Sequence, residues 1–176
     1  GGLTMLHELG QSLNRSFDVE NSFSQLTASF ISKLGFERSL IMLFEEEMQR
    51  IGSQARVGYS DKEVQAIQAS LVGDKALQEF LRSGQSLCVN RQGKMDPLSK
   101  KFSEIFHATN FILVPLVVKE KAAGFIFVGR DVAYEEVGEA DRELVSTLAH
   151  QMSQAIENSI LYEQLWKSHR ELEMKV

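Results

Sequence analysis

Phe111–Arg130 reads FILVPLVVKEKAAGFIFVGR, two apolar runs joined by the charged triplet Lys119-Glu120-Lys121. Short apolar runs rich in β-branched and aromatic residues read as strands, and a charged turn between them makes an antiparallel hairpin. In the second run Phe125 and Phe127 fall on one face and Ile126 and Val128 on the other, so both faces of the pair need cover. Pro115 cannot donate to a ladder and is expected at a local bulge or an unpaired position.

Cover for one face is supplied by the end of the chain. From about Glu139 to Glu173 apolar residues recur at helical spacing: Val145, Leu148, Met152, Ala155 and Ile156 form a face for the body, and Leu161, Leu165 and Leu172 continue past it. Such a helix has about 35 residues and a length of about 52 Å, more than the roughly 40 Å diameter of a compact domain of this size. Acidic Glu139, Asp141 and Glu143 at its start and basic Lys167 and Arg170 near its end suit the helix dipole.

Upstream, Leu3, Leu6, Leu9 and Leu13 predict an amphipathic helix over 3–16. Asp18 caps a second helix with the apolar face Phe23, Leu26, Phe30, Ile31 and Leu34, stopped by Gly35. Arg38–Phe44 reads as a strand. Its half-polar neighbour Arg50–Val57 sets Ile51, Ser53, Ala55 and Val57 on one face. Ser60 and Glu63 have capping-box spacing before Val64, Ile67 and Leu71, and Asp74 caps a short helix ending near Gly84. Leu87-Cys88-Val89 is a short strand. Asp96-Pro97 opens a helix whose packed face is Leu98, Phe102, Ile105 and Phe106. With no internal repeat or low-complexity linker, residues 1–176 read as one domain, and the polar end at Lys175-Val176 as a helix that continues.

Hydrophobic residues at 43% and charged residues at 24% are those of an ordinary globule, and a net charge of −5 argues against a broad nucleic-acid footprint. A single cysteine rules out an internal disulfide, and no apolar run approaches the ~20 residues needed to cross a bilayer. The expectation is a cytoplasmic segment without membrane insertion or direct nucleic-acid binding.

Four stretches carry a resemblance to a known family. They are Leu34-Gly35-Phe36-Glu37-Arg38-Ser39 leading into Leu40-Ile41-Met42-Leu43-Phe44; Val114-Pro115-Leu116 with Gly124-Phe125-Ile126-Phe127-Val128; Glu139 through Ile156; and Ala155-Ile156-Glu157-Asn158-Ser159-x-Leu161-Tyr162. In this order they resemble a GAF domain, a ligand-sensing fold of the wider PAS-like class. The resemblance implies an α+β fold: an antiparallel sheet of five or six strands, terminal helices on one face, and short helices with a lid over a pocket on the other. It implies a small-molecule-sensing, signal-transmitting regulatory domain of a multidomain bacterial protein, not itself an enzyme. The end of the chain resembles the connector of a sensor histidine kinase in a two-component system, so a C-terminal output domain is expected. The alternative is a ligand-free dimerisation or protein-docking module.

In bilin-binding relatives a cysteine beside a histidine anchors the chromophore; Cys88 has no adjacent histidine and reads as a small buried hydrophobe, so bilin is expected to be unlikely, as is haem. His7, His107, His150 and His169 are scattered and supply no metal-ligand cluster, so no metal is expected. Ser99, Asp96 and His107 have the side-chain types of a triad without a nucleophile elbow, and no GxGxxG or GxxxxGK-Ser/Thr phosphate loop occurs. The ligand expected is small, organic, and anionic or polar: Arg91, Lys94, Lys100 and Lys101 supply charge, and Cys88, Asn90, His107, Asn110 and Phe111 line the entrance beneath a lid at 90–110. Leu6, Leu9 and Leu13 with Leu161, Leu165 and Leu172 offer apolar stripes that a homodimer through the terminal helices would bury.

Overall fold

In the computed structural model, residues 24–45, 50–90, 93, 95–131 and 135–174 are described. Helix α1 (24–33) precedes β1 (Arg38–Glu45), β2 (Arg50–Val57), α2 (Asp61–Val72), α3 (Lys75–Ser83), β3 (Leu87–Val89), α4 (Pro97–Phe106), β4 (Phe111–Val118), β5 (Lys121–Gly129) and α5 (Glu139–Met174). The five strands form one antiparallel sheet in the order β2-β1-β5-β4-β3. Helices α1 and α5 cover one face; α2, α3 and α4 cover the other. This is the predicted α+β architecture, five strands among the described residues.

Strand alternation divides the core into two layers. Ile41, Ile112, Val114, Ile126 and Val128 pack toward Val145, Ala149, Met152 and Ile156 of α5. Leu40, Met42, Leu113, Phe125 and Phe127 pack toward Val64 and Ile67 of α2, Leu77 and Leu81 of α3, and Phe102 and Phe106 of α4. Pro115 lies one residue before a register shift between Leu116 and Val117, and β3 pairs only as far as Leu113, so beyond that point β4 has no β3 neighbour to donate to.

Two details differ from the sequence reading. The β1–β2 register shifts between Leu43 and Phe44, pairing Leu43 with Ser53 and Phe44 with Ile51, so Gly52 is the extra residue. A one-residue slip reverses the faces: Ile51 packs on the lid-side layer and Ala55 on the α5-side layer. On α1 the buried stripe is Ser24, Thr27, Ala28 and Ile31, whereas Leu26 is 70% and Phe30 46% exposed. The stripe has the i, i+3, i+4, i+7 spacing of one helical face, and its small residues allow close approach to the core. Phe23, the Asp18 cap and the helix expected over 3–16 lie outside the described residues.

The caps form as the spacing requires. Ser60 Oγ accepts from the Glu63 amide at 3.2 Å while Glu63 Oε1 accepts from the Ser60 amide at 3.0 Å. Asp74 Oδ1 accepts from the Ala76 and Leu77 amides, and Asp96 Oδ1 from the Ser99 amide at 2.7 Å with Pro97 in the first turn. One glycine is demanded by proximity: a Cβ on Gly124 of β5 would collide with the Met42 carbonyl oxygen of β1.

Candidate functional site

Beneath α4 the lid-side layer is an aromatic cluster. Apolar residues at positions 102 and 106 share one face of α4, and those at 111, 125 and 127 reach the same layer from β4 and β5. The Phe106 ring stacks on Phe127 with centroids 4.3 Å apart and planes 20° apart, and lies nearly parallel to Phe102 at 6.1 Å. Phe125 meets it edge-on at 5.7 Å and Phe111 is tilted at 6.3 Å. All five rings are fully buried.

Two residues outside α4 hold its C-terminal end. Helix ends leave carbonyls without intrahelical partners. Tyr59 Oη donates to the Phe106 carbonyl at 2.8 Å, and Arg38 Nη1 donates to the His107 carbonyl at 3.0 Å. The Arg38 guanidinium lies 5.6 Å from the centroid of the Tyr59 ring. Burial raises the Tyr59 phenol well above its ordinary value, against the opposing pull of Arg38, so the hydroxyl keeps its proton as a donor. His107 itself is the exposed C-cap of α4 in the left-handed region, φ 51°.

The lid side is tied to the entry of α5 at Val137. Asn110 Oδ1 accepts from the Val137 amide at 2.8 Å, and Asn90 Nδ2 donates to the Val137 carbonyl at 3.1 Å. Asn110 Nδ2 also donates to the Glu135 carbonyl at 3.2 Å; Asn110 is 2% exposed. Both polar main-chain groups of Val137 are thus satisfied by side chains flanking β3 and β4. Nearby, Arg142 Nε of α5 donates to Ser86 Oγ at 2.7 Å, and Arg130 Nη1 pairs with Asp141 Oδ2 at 2.9 Å while its guanidinium lies 4.2 Å from the centroid of the Phe36 ring.

Among the described residues, the candidates named from sequence do not all surround one space. Asn90 and Asn110 hold Val137; Phe111 is in the aromatic layer; Cys88 packs partly against the opposite, α5-side layer, where burial raises its thiol pKa. The space beside Cys88, Asn90 and Ser99 measures about 30 Å³, of the order of one water. Lys100 is exposed, and Lys101 pairs with Asp74 at 3.1 Å, tying α4 to the cap of α3. Arg91 and Lys94 lie outside the described residues, as do Leu6, Leu9 and Leu13 and the side chain of Leu172. Leu161 and Leu165, in the later part of α5, are 46% and 59% exposed. Among the described residues no group of three His, Cys, Asp or Glu could hold a metal ion. Tyr59, Arg38, Arg130 and Arg142 were not singled out by the sequence; each acts on a partner remote in the chain and sits in no recognisable pattern.

The chain belongs to the GAF domain family, whose model, described as GAF domain, matches residues 20–157. Solved structures with a similar fold include the photoproduct state of GAF3 from Slr1393 of Synechocystis sp. PCC6803, at 17% identity and TM-score 0.61, covering 85% of this chain and 98% of that one. Residues 122 to 287 of a methyl-accepting chemotaxis protein align at 20% identity and TM-score 0.62, covering 87% and 97%. A far-red absorbing dark state with bound biliverdin IXa aligns at 21% identity and TM-score 0.54, covering 84% and 98%. No curated protein sequence matches significantly. The chain is therefore a regulatory, sensory module and not a catalyst, of a family found in multidomain signalling proteins with further output domains. The expectation that bilin is unlikely is overturned by a protein of this fold that holds biliverdin. No described helix is long and apolar enough to cross a membrane.

Proposed function

We propose that the domain passes a change on its lid side to α5 through Val137, and does so as a homodimer paired along the outer part of α5. The observation that carries this reading is the pair of hydrogen bonds at the Val137 main chain, whose carbonyl accepts from Asn90 and whose amide donates to Asn110, two residues before α5 begins. A shift of the lid that moves either asparagine must move or break a tie to the helix entry. A ligand drives such a shift only through different affinities for the two arrangements. Exposed Leu161 and Leu165, one helical turn apart, give two copies an apolar seam, and pairing there sets two output domains side by side.

Spin labels on Ser168→Cys, in a Cys88→Ser background, test the reading by distance measurement between protomers. The expected result is a defined distance in the dimer that shifts or broadens in Asn110→Asp. Absence of any interprotomer distance, or a distribution indifferent to Asn110→Asp, contradicts it. The second reading, a ligand-free docking module, is favoured by the tight ring packing beneath α4.

A further inference from the structure

We propose that the groove between α5 and the β4–β5 turn binds an amphiphilic monocarboxylate with an aliphatic body. The inference goes beyond the lid-to-α5 reading and does not rest on it, because the groove lies against the opposite, α5-side layer of the core. It measures about 450 Å³, a size that holds a small organic molecule. Leu43 of β1 lines it together with Val118 and Ala123 of the hairpin. The facing wall is Ile156, Ile160 and Gln164, successive positions at i, i+4 and i+8 on one stripe of α5.

The lining states the chemistry of both ends of the ligand. Its apolar side chains are aliphatic apart from Phe44, whose ring is engaged with Phe125 at 6.0 Å. Burial of apolar surface is non-directional, so such walls suit a flexible alkyl body and demand no ring. Charge enters from the turn, which contributes Lys119 and Lys121, and among the described lining residues none is acidic. A lysine lays its stem along apolar surface and keeps its ammonium in water, so the turn end of the groove favours an anion. Val118 pairs with Lys121 in the ladder, which sets the apolar and cationic parts side by side. A bound molecule would touch β1, the hairpin and α5 together and hold the later part of α5 against the sheet.

Amide NMR during titration with octanoate tests the proposal, with octanol as the body alone and acetate as the head alone. Octanoate is expected to give saturable shifts at Ala123, Ile156, Ile160 and Gln164 while Phe106 and Phe127 stay unmoved. Octanol should bind more weakly and acetate not at all. Lys119→Asn removes a charge where the backbone is left-handed, φ 50°, a conformation that asparagine tolerates. This change and Lys121→Gln should each weaken octanoate about two- to fivefold and leave octanol unaffected. Ala123→Leu, which fills the groove, should remove both ligands; if that variant fails to fold, the two lysine variants at exposed positions decide alone. Equal affinity for octanoate and octanol, octanoate affinity unchanged in both lysine variants, or shifts centred on Phe106 and Phe127 would overturn the proposal. So would shifts at the groove amides that follow protein concentration and not octanoate, the mark of a second copy covering the groove. The interprotomer distances in unliganded protein are read independently, so either proposal can fail without the other.

Discussion

Replacing Asn110 with alanine separates a ligand-lining role from a structural one. In the structure its side chain accepts from the Val137 amide and donates to the Glu135 carbonyl, and Val137 is 1% exposed. Asn110→Ala leaves that amide buried without an acceptor, a loss of about 1–3 kcal/mol, and removes a second bond worth about 0.5–1.5 kcal/mol. The expected destabilisation is about 2–4 kcal/mol, which for a domain of this size lowers Tm by about 5–15 °C. Urea unfolding followed by circular dichroism measures it. Asn110→Asp keeps the acceptor for Val137 but sets a carboxylate against the Glu135 carbonyl. Its penalty should shrink below about pH 5, where the protonated carboxyl can donate again. If Asn110→Ala costs less than about 0.5 kcal/mol, the tie contributes little and the transmission route argued from it fails.

Gly124→Ala would drive a methyl group into the Met42 carbonyl, a backbone atom that cannot step aside, and should cost about 1–3 kcal/mol or more by denaturant unfolding. Light scattering across a dilution series should show a dimer that dissociates at higher concentration in Leu161→Glu and Leu165→Glu; a monomer throughout, or a dimer indifferent to both changes, removes the seam from the account. Folding lowers the carboxyl pKa of Asp74, chiefly through the Lys101 ammonium, and of Asp96, through the Ser99 amide, from 3.8. Groups depressed in this way stabilise the fold above their unfolded pKa and lose that contribution as the pH falls through the folded value. The urea midpoint should accordingly fall below pH 3.8, less steeply in Asp96→Asn.

What the sequence makes legible is whatever depends on neighbours in the chain. The hairpin of β4 and β5, the caps at Ser60, Asp74 and Asp96, the packed face of α4 and the start of α5 all follow from spacing over a few residues. The faces of β2 do not, because the slip beside Gly52 depends on pairing with β1. Nor does the orientation of α1, where Leu26 and Phe30 outrank Thr27 and Ala28 in hydrophobicity yet lie outside. At the candidate site the polar residues flanking the lid were visible, but their partners were not. Tyr59 acts across 47 positions and Arg38 across 69, while Asn90 and Asn110 reach Val137 across 47 and 27. A buried asparagine that satisfies main-chain groups looks, in sequence, the same as one that waits for a ligand.

On the proposed reading, the lid and α5 move as a linked pair. Hydrogen exchange with residue resolution, comparing Tyr59→Phe with the parent protein, tests it most directly, because the Tyr59 hydroxyl is bonded to the Phe106 carbonyl at the end of α4 and not, among the described residues, to α5. The account predicts faster exchange at 103–108 accompanied by faster exchange at Val137 and through the first turns of α5, with the central strands β1 and β5 unchanged. Faster exchange at 103–108 while Val137 and the start of α5 keep their parent rates would contradict it.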